Sequence, residues 1–148
     1  MQLKQQLRQF KRIQDHYQRE LDAMAVELAS LNQSVVQARQ EVAQAETRLR
    51  DAERRLMSQS ATVMSRENGV QLLSDLTAQW NEKIDQLSSA KEAFEIQRSR
   101  VESQSAKLDS FEKLVQGKSE TVAYQQQRTD QQIADEQYLQ SSFPRSNS

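Results

Sequence analysis

Residues 60–71, SATVMSRENGVQ, interrupt a chain that on either side reads as unbroken helix. Ser60, Thr62 and Ser65, with Ser58 just before them, lower helix propensity, and the Asn68-Gly69 pair is a strong turn signal. If the chain turns back here, it makes a two-helix hairpin. If it runs straight through, it makes one long rod that must pair with a second copy.

The segment before the stretch repeats with a 3.5-residue period. One row holds Leu3, Phe10, Tyr17, Met24, Leu31, Ala38, Ala45 and Ala52. The other holds Leu7, Gln14, Leu21, Leu28, Val35, Val42, Leu49 and Leu56. Only Gln14 is polar, and Ile13 stands beside it. A repeat held this long is a coiled-coil seam, because each heptad returns its apolar pair to the same helix face. A helix of this length does not sit on the surface of a small globule.

The segment after the stretch has one firm row, Leu73, Trp80, Leu87, Phe94, Val101, Leu108, Val115 and Val122, spaced seven apart. Its companion row is patchy. Leu76, Ala90 and Phe111 are apolar, but Lys83, Gln97 and Gln104 fall in the same series. Polar seam residues weaken a coiled coil and help to fix its register. This pattern predicts a mobile pairing of modest stability.

The row that starts at Leu3 and the row that starts at Leu73 share one heptad phase, as a single continuous helix would require. Gln59 and Arg66 break that row inside the stretch, and the companion row changes character after it. The turn signals favour the hairpin. Its expected parts are helix 1 over about 3–58, a bend over about 59–70, helix 2 over about 71–140, and a frayed tail over 141–148, where Pro144 ends any helix. A fold-back near residue 65 brings Ser34 and Ser99 side by side, within about 20 Å. The predicted fold class is all-α, a long two-helix coiled-coil hairpin.

Composition sets the outer bounds. The 148 residues include two glycines, one proline and no cysteine, with 36% hydrophobic and 5% aromatic residues. So little turn punctuation excludes a fold of many short elements. No apolar run is long enough to span a membrane, and MQLKQQLRQFKR lacks the apolar stretch of a signal peptide. Without cysteine there is no disulfide framework and no thiolate ligand, which fits a reducing cytoplasm. The 20 basic and 21 acidic residues are well mixed, so nothing calls for nucleic acid. His16 and Glu20 form an i, i+4 pair, too few ligands for a metal site. No P-loop and no G-x-S-x-G setting occurs. A narrow two-helix seam offers no cleft to desolvate a substrate. The expectation is a protein that is not an enzyme and takes no cofactor.

Both ends of the chain carry a pattern. The start, LKQQLRQFKRIQDHYQREL at 3–21, sets leucines ahead of a basic pair and then an aromatic. The far end contains DSFEKLV at 109–115, then Arg128, then ADEQY at 134–138. This layout resembles the type III export stalk proteins, the FliJ family of flagella and the YscO/HrpO family of injectisomes. It covers nearly the whole chain: length, two long helices, a break between them and an acidic pair near the end. The family often has a basic cluster after the segment matching 109–115, where this chain has QGKSE at 116–120. A basic contact there is therefore not carried over. The glutamine-rich end leans toward the injectisome branch.

The resemblance implies an antiparallel hairpin, monomeric and cytoplasmic, peripheral to the inner-membrane export apparatus. It implies partners: the hexameric export ATPase, the export gate protein and secretion chaperones. The terminal end would meet the ATPase, with Arg8, Lys11, Arg12, Arg128, Asp135 and Glu136 as candidates. The bend end would meet another partner through Val63, Val70, Leu72 and Leu76. Each charge also reads as part of a solvated helix face, and each apolar residue as packing within the hairpin. Two other functions remain open from the residues alone: a passive coiled-coil spacer or scaffold, formed as a parallel dimer, and a secretion chaperone.

Overall fold

A computed structural model describes residues 2–58 and 63–142, with side chains described for 2–58 and 66–141. Two helices account for all of them: α1, Gln2–Ser58, of 57 residues, and α2, Val63–Ser142, of 80 residues. α1 contains no glycine or proline and is rich in Gln, Leu, Ala, Glu and Arg, which lose little on entering a helix. Pairs three or four residues apart tie successive turns. Arg50 donates to Glu46 at 3.1 and 2.8 Å, a bond that raises the arginine pKa further, and Arg98 sits 3.3 Å from Glu102. The two helices pack side by side as an antiparallel hairpin, so the straight rod is not what the chain adopts.

The chain divides into two compact units. One consists of Asp22–Ser103 and the other of Met1–Leu21 with Gln104–Ser148. In the first, Val35, Ala38 and Ala45 of α1 are buried, and Leu73, Trp80, Leu87, Phe94 and Val101 of α2 are half-buried. Lys83 Nζ reaches Glu41 Oε2 at 3.3 Å, and Gln97 Nε2 donates to the Met24 carbonyl at 3.2 Å and to Glu27 Oε2 at 3.3 Å. This register sets the small Ala38 and Ala45 level with the bulky Leu87 and Trp80, so volume is shared across the seam. Trp80 Nε1 is buried with no acceptor among the described residues.

In the second unit, Leu108 and Val115 are buried. An aromatic cluster replaces the aliphatic seam. Phe111 meets Phe10 and Tyr17 edge-on, at centroid distances of 5.6 and 5.3 Å. Lys107 Nζ lies 4.3 Å from the centre of the Tyr17 ring. Gln104 Nε2 donates to the Tyr17 carbonyl and to Glu20 Oε2, both at 3.2 Å. Past Val122 every described side chain of α2 is exposed.

Three expectations are corrected. The turn expected at Asn68-Gly69 lies inside α2, which begins at Val63, so helix 2 starts before residue 71. Of the expected bend, only 59–62 fall outside the described residues. Gly69 has helical backbone with no positive φ, and a β-carbon there would fall on Leu56 Cδ1. The glycine serves a close approach of α1 rather than a turn. The pairing is also offset from a fold-back at residue 65. Ser34 lies between Glu27 and Glu41, so it stands opposite the turn around Ala90, about 14 Å along the axis from the level of Ser99 and within the expected separation of about 20 Å. At the far end, Ser141 and Ser142 remain helical, and the rest of the expected tail, 143–148, is outside the described residues.

Candidate functional site

Helix electrostatics single out the unit formed by Met1–Leu21 and Gln104–Ser148. An α-helix presents a positive end at its N-terminus and a negative end at its C-terminus, which favours acids early and bases late. Here neither preference is met. α1 has no acidic residue in its first turn and carries Lys4, Arg8, Lys11 and Arg12 before its first acid, Asp15. α2 has no basic residue in its last turn, and Asp130, Asp135 and Glu136 follow its last helical base, Arg128. Like charges at Arg8 and Arg12, four residues apart, repel as well.

The expected residues at this end are all exposed. Arg8, Lys11, Arg12, Arg128, Asp135 and Glu136 make no ion pair or hydrogen bond to another described side chain. Lys4 Nζ donates to Gln126 Oε1 at 3.4 Å, a side-chain link from the start of α1 to α2. Beside it a groove of about 420 Å³ has Leu3 and Val122 as its apolar floor and Lys4, Arg8, Gln125 and Thr129 along its edges. Arg8 thus borders a concavity with an apolar floor, and it lines a shallower one together with Gln5, Gln9 and Arg12.

The apolar candidates near the bend divide. Val70 and Leu72 are exposed, at 60% and 52%. Leu76 is half-buried, and the Val63 side chain lies outside the described residues. Leu72 and Leu76 border a second groove of about 420 Å³ with Ala52, Leu56 and Gly69, and Arg48 and Arg55 stand at its rim. The apolar floor exists because Gly69 carries no side chain. Reasoning from sequence missed Gly69, Arg48 and Arg55, since only the pairing of α1 with α2 brings them together.

His16 Nε2 lies 2.8 Å from Glu20 Oε1 on the exposed side of α1. Among the described residues no three His, Cys, Asp or Glu side chains are grouped to hold a metal ion. None of the helices described is long and apolar enough to cross a membrane. No family model, no curated protein and no solved structure matches the chain.

Proposed function

We propose that the chain is a non-enzymatic stalk, a coupling component of a bacterial type III secretion apparatus, flagellar or virulence-associated. The observation that carries this reading is the segregation of exposed charge in the terminal unit, bases over the start of α1 and acids late in α2. Bases at the start of α1 and acids late in α2 cost helix stability, by about 0.3–1 kcal/mol each where the dipole is felt. Among the described residues Lys4 and Asp130 share Gln126 as a partner, while Arg8, Lys11, Arg12, Asp135 and Glu136 make no ion pair. Charges placed against the fold's own preference are best explained by a complementary partner, and the resemblance supplies one, the export ATPase hexamer.

In this reading Arg8, Lys11, Arg12 and Arg128 meet acidic groups of the ATPase, while Asp135 and Glu136 contact basic or polar ones. The exposed Val70 and Leu72, with Leu76 at the groove edge, face the export gate protein or a secretion chaperone. The hairpin passes a displacement from one partner to the other. It does no chemistry of its own.

The test is a pull-down with tagged protein from the native organism, followed by ATPase assays on the recovered hexamer. Recovery of an ATPase whose turnover rises on addition of the chain supports the stalk. Failure to recover one across a range of salt leaves a passive coiled-coil scaffold as the better reading. The variant Arg8→Glu/Arg12→Glu sharpens the test. It should abolish ATPase capture and leave the thermal midpoint nearly unchanged, because both positions are exposed and make no pair with another described side chain. Loss of capture together with loss of helix by circular dichroism would speak against a contact role.

A further inference from the structure

We infer that α1 and α2 carry matched rows of donors and carboxylates that select one register of the hairpin out of the several its apolar seam would allow. On α2 the row at seven-residue spacing reads Lys83, Ala90, Gln97, Gln104. On α1 the facing row, read in the opposite direction, is Glu41, Ser34, Glu27, Glu20. Lys83 meets Glu41 at 3.3 Å, Gln97 meets Glu27 at 3.3 Å, and Gln104 meets Glu20 at 3.2 Å. Where the donor row is blank, at Ala90, the carboxylate row is blank too, at Ser34.

The two glutamines are buried more deeply than most of the apolar seam, at 3% and 7% exposure. Each uses both N–H bonds of its amide, one on a main-chain carbonyl and one on a glutamate. A carbonyl is available at every residue of α1, so that bond carries no register information. The glutamate is available only at particular turns, so that bond does. A leucine seam repeats every heptad and cannot tell one alignment from the next.

The blank position makes the pattern directional. Sliding one heptad in one sense sets Gln97 opposite Leu31 and Ser34, and sets Lys83 opposite Arg48, cation against cation. Sliding in the other sense sets Gln104 opposite Phe10 and Ile13, and Lys83 opposite Ser34. In either slide one glutamine re-forms its pair on the neighbouring glutamate, so one match survives of the three. Without the blank at Ala90 and Ser34, a slide would keep more matches and the alternatives would compete. The inference does not depend on the proposed partners. It concerns how the chain pairs with itself.

The test uses the absence of native cysteine. Spin labels go on the exposed Ser34→Cys and Ser99→Cys in the full chain. With Ser34 opposite the Ala90 turn, the labels are offset by about 14 Å along the axis, and a one-heptad slide changes that to about 3 or about 24 Å. The wild-type background should give one narrow distance. The Gln97→Leu/Gln104→Leu background should keep or raise the thermal midpoint, since polar seam residues cost stability, and should add a resolved second distance. Glu20→Ala/Glu27→Ala, which leaves the seam volume untouched, should add the same distance. A single unchanged distance in both backgrounds, with helix content retained, overturns the inference. So does a leucine variant that shows one distance and a lower midpoint, because the glutamines would then be structural filling rather than register determinants.

Discussion

At the scale of a residue, the sign of a substitution depends on what a new β-carbon would meet. Gly117 is an exposed glycine inside α2, and a β-carbon there touches nothing within 4 Å. Gly117→Ala should therefore stabilise by about 0.5–1 kcal/mol through helix propensity alone, read as a higher midpoint in urea with an unchanged slope. Gly69 sits in the same helix with the opposite surroundings, since its β-carbon would fall on Leu56 Cδ1. Gly69→Ala should gain little or lose stability in the wild-type chain. In a Leu56→Ala background it should recover the full gain of about 1 kcal/mol. A double-mutant cycle measures the difference, and a cycle with no coupling would remove the close approach as the reason for glycine. Local sequence misled at this residue. Asn-Gly has strong turn propensity, and only the helix lying across it explains why the backbone stays helical.

At the scale of an element, α1 was legible nearly throughout. Every position of its two apolar rows, from Leu3 to Leu56, is buried or half-buried, including Gln14, while Ile13 beside it is exposed. A 3.5-residue period is a direct consequence of one helix packing along one partner, so the sequence needed no tertiary knowledge to show it. The companion row of α2 looked patchy because Lys83, Gln97 and Gln104 are polar, and their partners Glu41, Glu27 and Glu20 lie far away in the chain. The segregated end charges were visible as residues. That Arg8, Lys11, Arg12, Asp135 and Glu136 make no ion pair among the described residues was not, since this depends on what the opposite helix brings. The far end of α2 sets a further expectation. From Ala123 to Ser141 its side chains are all exposed, so its backbone bonds rest on propensity, which is marginal for one short helix in water. Amide exchange should be slow at 97–115 and fast beyond residue 129. Truncation after Thr129 should move stability by less than about 0.5 kcal/mol. If ATPase capture is lost on that truncation while the midpoint holds, the contact role of Asp135 and Glu136 gains support.

At the scale of the whole molecule, a seam of this kind has no central core whose loss would be felt everywhere. Burial is spread thinly: Leu108 and Val115 in one unit, Val35, Ala38 and Ala45 in the other. Energetics should then be local, as in structures whose parts touch only their neighbours. Leu108→Ala, at a position 4% exposed, should cost about 2–4 kcal/mol and speed amide exchange chiefly around 104–122. Val35→Ala should cost less and act around 31–45. Because the two sites share no partner, their costs should add to within about 0.5 kcal/mol. Each substitution should shift the transition of its own unit, and one transition shifted alike by both would mean that the units unfold as one.

Trp80 is the single tryptophan, held in the seam with its indole N–H unanswered. Excited at the red edge of protein absorption, the chain therefore has one emitter, half-buried in the seam with its indole N–H buried and without an acceptor among the described residues. Its colour and polarisation report on one layer of the seam without any label. Water entering there shifts the emission to the red, and a partner that stiffens or spreads the helices at that layer registers in the same light before any assay of turnover is run.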